Sequence, residues 1–516
     1  MAPEALRRHA SPSRVTVRRT VSVGAIWAIA TLIFLWFIVS LGQPSTGDNW
    51  YYQYSLWAIE HGNFVCAYPP KFGPHLPLPA VPFTFIAPLY PLVAGAIAAL
   101  LHVGTSHPFP SVNAMGAGCR QAMTTMWHWA RQAHVEGETL AIAFTGWFAL
   151  IAGVIVHRGR TRRLSWRDEI WSAMLLVSSL AVVSAFAQFS HPQDLLAAGL
   201  SWVAVATALR DRWMWTGILI GLATSSNQLA LLAAIVLFVV AGRDGRRRLV
   251  TGAVLTMAVV YTPLLLAGGT RAYGDILTGS GFNNSLGGTL VWQLGLPVPL
   301  KYFVSRIVPL AVDAAFALWY RRRHDGPIDA AGLVFLVTMG FAWRLVFEAN
   351  LWGYYFVPLF AGLVILDRTQ GRRRAASLAW SLSQLLLYNW LNVGYDAPSW
   401  LLESWPLFLG LLAAAGTVAV MTMRSIQRKK DRIAWSSTLI LYVAVFVVGP
   451  HVFHTDVTSW PVWVHQIILV PWAIGLAISG VTRAPSEERS PEDLGEATVP
   501  VMAQWDPGSD RGTLGG

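Results

Sequence analysis

The stretch SVGAIWAIATLIFLWFIVSL, residues 22–41, decides the fold class of this chain. It carries no charge, and about twenty apolar residues are what a helix needs to cross a bilayer core of roughly 30 Å. Arg7, Arg8, Arg14, Arg18 and Arg19 precede it, so it reads as an uncleaved signal anchor whose basic side stays in the cytoplasm. Similar runs recur along the 516 residues, of which 54% are hydrophobic and only 13% charged. A soluble chain of this length needs more charge to cover its surface. Many of the 25 Trp residues lie at the ends of these runs, where an indole suits the headgroup zone.

The net charge of +11 does not point to nucleic acid, because the arginines stand in short clusters between apolar runs. Read as cytoplasmic signals, the clusters are the N-terminus and residues 158–167, 210–212, 243–248, 321–323, 368–374 and 424–432. Helices between two such clusters must come in pairs. After the first span the candidates are 138–156, 169–188, 194–209, a short pair across 213–240, 249–266, 303–320, 328–345, 351–366, 375–391, 401–423, 433–448 and 460–478. The expected fold is an all-α, polytopic transmembrane bundle of about 12–14 spans. Asn227 and Gln228 mark the break in the short pair. The expected organisation is a basic cytoplasmic N-terminus (1–21), a transmembrane domain (22–483) and a disordered cytoplasmic tail (484–516), with both termini in the cytoplasm of a plasma membrane. Arg in place of Lys suits a GC-rich bacterial genome.

One apolar run, residues 80–101, breaks the parity if it spans. Pro82, Pro88 and Pro91 disfavour a continuous helix there. It is therefore expected as a re-entrant or interfacial element in a large outer loop, residues 42–137. Trp50, Tyr54 and Trp57 fall at i, i+4 and i+7 and suggest an interfacial helix in the same loop. The stretch 268–301 reads as a second long outer loop. Cys66 and Cys119 are the chain's two cysteines. Both fall in the first outer loop, on a side that permits disulfides, and a bridge there is worth about 4 kcal/mol on the chain-entropy model.

Several groups could carry chemistry. Asp48 stands a few residues past the first span, where a base could reach a hydroxyl at the membrane surface; it equally suits a helix N-cap. Ser190 and Gln193 have capping-box spacing, with Pro192 in the first turn and Asp194 on the helix dipole. Asp313, Arg344 and Glu348 are charges within apolar runs, which suggests a site or a partner. Arg344 and Glu348 lie at i, i+4 and suit a pair, and Arg344 also suits a phosphate. Arg271, Lys301 and Arg306 are further outer-side cations. His451, His454 and Asp456 read as a loop rather than a metal site. No metal and no cofactor is expected.

The order of certain strings resembles the C-type superfamily of membrane glycosyltransferases. It is similar in particular to the bacterial family of polyprenyl-phosphate-mannose-dependent α-mannosyltransferases, family 87. The strings are Gly47-Asp48-Asn49-Trp50-Tyr51-Tyr52 and Ala87-Pro88-Leu89-Tyr90-Pro91-Leu92, then Phe189-Ser190-His191-Pro192-Gln193-Asp194 running on to Gly199. Gly217-Ile218-Leu219-Ile220-Gly221-Leu222-Ala223 and Arg344-Leu345-Val346-Phe347-Glu348 with Tyr354-Tyr355 complete the set. The likeness covers about two-thirds of the chain. It departs at Asn227-Gln228, where many relatives have Lys-Gln, and the donor phosphate contact is the point this touches.

The resemblance implies transfer of a sugar, mannose by analogy, from a lipid-linked donor to an extracytoplasmic glycan, glycolipid or protein, with inversion. Asp48 would be the base, and His191, Asp194, Asn227, Gln228, Arg344, Glu348 and Tyr354 would bind substrate. Membrane lipids are further expected partners; nucleic acid is not. Two other classes stay open: a transporter or flippase of a lipid or small solute, favoured by the break at Asn227, and a non-catalytic membrane protein of the same fold.

Overall fold

The computed structural model describes residues 23–35, 136–157, 166–177, 179, 181, 182, 185, 191–278, 291, 294–324, 328–348 and 353–370. Asp48, the Cys66–Cys119 bridge, most of the first outer loop with the segment 80–101, the helices expected beyond 375, His451, His454, Asp456 and the tail lie outside the described residues. Every regular element among the described residues is helical.

The order is α1 (Val23–Leu35), α2 (Glu136–Ile155), α3 (Trp166–Val177), α4 (Pro192–Ala208), α5 (Trp213–Ser226), α6 (Ala230–Val240), α7 (Arg243–Thr278), α8 (Val298–Arg323), α9 (Ala330–Phe347), a 3-10 turn (Gly353–Phe356) and α10 (Val357–Gln370). Two segments within these, Phe303–Arg323 and Ala330–Phe347, are long and apolar enough to cross a membrane. The short pair expected across 213–240 is α5 and α6, and the break falls at Asn227 and Gln228. There the Asn227 side chain accepts from the Leu229 backbone N–H at 2.9 Å, which turns the chain in place of a helical bond.

Two expectations change. The second outer loop begins later than expected, because α7 continues through Thr278. Its 36 residues span about 54 Å at 1.5 Å per residue; the arginines of 243–248 are good helix formers and extend it at its start, while its far end runs on through Gly268, Gly269 and Gly274. The capping box is out of register: His191 is the N-cap of α4, without a side-chain cap bond, and Pro192 opens the first turn as expected. Tryptophans such as Trp166 and Trp213 stand at helix ends as expected, and others lie in helix interiors. Trp147 and Trp202 are fully buried inside α2 and α4. Trp147 stacks on Phe34 at 4.1 Å and donates to Thr31 Oγ1 at 3.1 Å. Trp202 donates to the Pro358 carbonyl at 3.3 Å. An indole can be buried in this way because its one N–H finds an acceptor.

Glycines in the motif strings set how closely helices approach. A side chain at Gly199 would meet the Ala149 backbone of α2, and one at Gly217 would meet the Leu249 carbonyl of α7. Between apolar helices, packing of small residues replaces the hydrophobic driving force that membranes lack. These glycines build seams and do not line the site.

Two of the Arg clusters, 243–248 and 321–323, lie at helix ends that meet. Arg246 donates to the Phe238 and Val239 carbonyls at 2.9 and 3.2 Å, and Arg321 donates to Val239 at 2.5 Å. The start of α7 and the end of α8 thus cover the end of α6. Elsewhere, Arg368 near the end of α10 forks onto Glu169 at the start of α3, at 3.0 and 3.1 Å. Trp27 of α1 donates to the same carboxylate at 3.1 Å.

Candidate functional site

At the opposite ends of α8 and α10 stand most of the residues singled out from sequence. His191 and Asp194 open α4, Asn227 and Gln228 lie between α5 and α6, and Arg344 is in the last turn of α9. Glu348 is the first residue past α9, and Tyr354 is in the turn before α10.

They form two groups. In the first, the Asn227 amide donates to Asp194 Oδ1 at 2.6 Å, and Asp194 is fully buried. A hydrogen bond to a buried carboxylate is strong, since the acceptor is charged and little water competes. Gln193 Nε2 lies 2.7 Å from His191 Nδ1, and Asp194 Oδ2 lies 3.7 Å from the same nitrogen. The His191 and Tyr354 rings stack at 4.1 Å with 12° between their planes. The Tyr354 hydroxyl is 3.2 Å from His191 Nε2. Because the rings face each other, that contact leaves the imidazole plane, where an N–H or lone pair points. It orients the ring by packing more than by proton sharing.

In the second group, Arg344 pairs with Glu348 as the i, i+4 spacing suggests. Arg344 Nη1 also donates to the Ser305 carbonyl at 2.8 Å. The Ser305 hydroxyl donates to Glu348 Oε1 at 3.2 Å, and Arg306 Nη1 reaches Glu348 Oε2 at 3.4 Å. Glu348 is 1% exposed, so its charge is held by two guanidiniums and a hydroxyl rather than by water. Arg306 and Arg344 line a cleft whose other walls are Gln228, Leu229, Leu231, Leu232 and Leu310. The cleft is small, with about 270 Å³ of empty space; two cations beside leucines are the kinds of group that an anionic head with an apolar tail would engage.

The groups are joined by chain and by field. Asn227 serves the first and Gln228 the second, one residue apart. Tyr355 hydrogen-bonds Tyr354 and lies within electrostatic reach of Asp194, Arg306 and Glu348. Asp313 stands apart from both. It is eight residues beyond Ser305 on α8, about 12 Å along the axis, buried against Gly340 of α9. Neither of its oxygens has a hydrogen-bond partner among the described residues. Ser305 is the member that sequence reading missed. Its one signal was its place beside Arg306, a turn into a helix already noted for outer-side cations.

No curated protein and no solved structure matches the chain. A family model, glycosyltransferase family 87, matches residues 121–346, somewhat less than half of the chain. The match takes in His191, Asp194, Asn227, Gln228, Arg306 and Arg344 and ends just before Glu348. The family and the apolar helices support a membrane protein. Over that stretch the chain is similar to glycosyltransferase family 87, as the motif strings anticipated, and that family implies a glycosyltransferase.

Proposed function

We propose that the protein transfers a sugar, mannose by analogy, from a polyprenyl-phosphate donor to an extracytoplasmic acceptor, with inversion at the anomeric carbon. The observation that carries this reading is the leucine-walled cleft edged by Arg306 and Arg344 beside the Asp194 and His191 group. A lipid phosphate needs both an anion site and an apolar wall. In the reaction the acceptor hydroxyl attacks the anomeric carbon from the face opposite the phosphate, and Asp48 takes its proton. The bond from that carbon to the phosphate oxygen breaks. The leaving polyprenyl phosphate keeps the electron pair, and Arg306 and Arg344 offset its growing charge. No electron is exchanged with a redox cofactor. His191, with its ring set by Gln193 and Tyr354, and the Asn227–Asp194 pair hold polar parts of the sugar.

A radiolabelled polyprenyl-phosphate sugar, supplied to purified protein with candidate acceptors, tests this. Turnover is expected, and Asp48→Asn is expected to lower it by about 10²- to 10⁴-fold while leaving donor binding in place. Full turnover in Asp48→Asn refutes the base assignment. A second reading, a lipid or solute transporter, is favoured by the helix break at Asn227, since interrupted helices serve as binding points in transporters. Vesicle flux of the labelled lipid without sugar transfer is its signature.

A further inference from the structure

We infer that the surface where α7 begins and α8 ends docks an anionic phospholipid. Its phosphate sits on Arg247, Arg248, Arg322 and Arg323, and its acyl chains run along the outer faces of the two helices. This surface is separate from the cleft: Arg322 is about 24 Å along α8 from Arg306. Nothing in it depends on what the sugar donor is.

Two arginines of this region turn inward. Arg246 and Arg321 both donate to the Val239 carbonyl at the end of α6, at 3.2 and 2.5 Å, which ties the two helix ends together. Their neighbours in sequence, Arg247 and Arg248 on one side and Arg322 and Arg323 on the other, are exposed. The shared carbonyl thus brings two exposed basic pairs into one region. Asp244 is exposed in the first turn of α7 and offsets one charge, so the surface stays cationic.

What lies along the helix from each arginine points to lipid as the occupant. On α7, Val254 stands at i+7 from Arg247, and Leu255 and Val259 at i+7 and i+11 from Arg248, so each arginine heads an apolar stripe. Those three side chains are 58%, 57% and 74% exposed. On α8, Leu318 and Trp319 lie one turn before Arg322 and Arg323 and are exposed as well. The Arg323 guanidinium is 5.1 Å from the centre of the Trp319 ring. An indole suits the headgroup zone, and a guanidinium there matches phosphate geometry. A cation above an apolar stripe, repeated on two helices tied at their ends, complements a phosphate ester with acyl chains. Basic residues at a membrane surface attract anionic lipid, each adding a similar increment. A zwitterionic phospholipid brings the same phosphate with its own cation attached, so it gains less from the four arginines.

The test is native mass spectrometry of the full-length protein in detergent, titrated with phosphatidylglycerol or with phosphatidylcholine of the same acyl chains. Wild type is expected to bind phosphatidylglycerol at least about tenfold more tightly, and added salt is expected to narrow the difference. Arg247→Gln, Arg248→Gln, Arg322→Gln and Arg323→Gln together are expected to bring the two affinities within about twofold of each other. This fourfold variant keeps Arg246 and Arg321 on Val239. Should it not fold, either pair of substitutions alone is expected to lower the ratio by about threefold. Equal binding of the two lipids by wild type overturns the inference, and so does a folded variant that keeps the wild-type ratio. Inorganic phosphate that displaces phosphatidylglycerol at equal concentration overturns it too, because the acyl chains then contribute nothing.

Discussion

Two buried arginine–carboxylate clusters sit at opposite ends of α10 and its neighbours, and they are built differently. At one end Arg368 presents its fork squarely to Glu169, both oxygens are used, and Trp27 completes the carboxylate. No charged atom of that cluster edges the cleft. At the other end Arg344 divides its donors between Glu348 and the Ser305 carbonyl. Glu348 is shared with Arg306, and both arginines border the small cleft walled by leucines. A closed pair holds helices together. A shared pair at the edge of a cleft leaves donors that can be re-used by a ligand.

Arg368→Ala should have the largest effect and break the closed cluster. It leaves the Glu169 charge buried without its fork, which costs about 3–5 kcal/mol. Thermal unfolding in detergent should show a large drop, while the folded fraction keeps its donor affinity. Loss of donor affinity with unchanged stability would erase the distinction between the two ends. Arg344→Ala tests the shared cluster. Because Arg306 and Ser305 still serve Glu348, it should destabilise less than Arg368→Ala. It should lower turnover by about 10²- to 10³-fold, the scale of removing one donor to a developing oxyanion. An equal loss of stability with normal turnover would make Arg344 structural.

Asn227→Ala sharpens the boundary between site and scaffold. It removes the donor to Asp194 and the acceptor for Leu229 N–H, which should cost about 1.5–3 kcal/mol by chemical unfolding. A stability indistinguishable from wild type would mean that Asp194 has its main support elsewhere. Trp27→Phe keeps the ring and removes one hydrogen bond to Glu169, so it should cost about 1 kcal/mol. A loss as large as that of Arg368→Ala would show that the indole, not the fork, fixes the closed cluster.

Among the described residues much of the helical layout was legible, because apolar runs and charge clusters mark helices plainly. The pairing of α5 and α6 about Asn227, the Arg344–Glu348 pair and the gathering of Arg246 and Arg321 at one helix end follow from local spacing and from where charge can lie. The length of α7 was not legible, since hydropathy stops where the apolar residues stop and the helix does not. Ser305 was not legible either. A serine beside an arginine carries no pattern, and its part in the Glu348 cluster depends on residues some forty positions away.

By itself, then, the sequence determined that the described part of the chain is built of helices, many of them apolar, roughly where most of these begin and end, which charges are out of place in them, and which family its strings resemble. Tertiary structure alone decided which of those charges share a carboxylate and which of the tryptophans are buried. It also decided that the motif glycines are seams, and that Gln228, Arg306 and Arg344 border one cleft. The division has a physical cause. Helix formation and burial in lipid act on neighbours along the chain at a period of 3.6 residues. A hydrogen-bonded cluster joins groups from separate helices, and their meeting depends on packing that no single segment encodes.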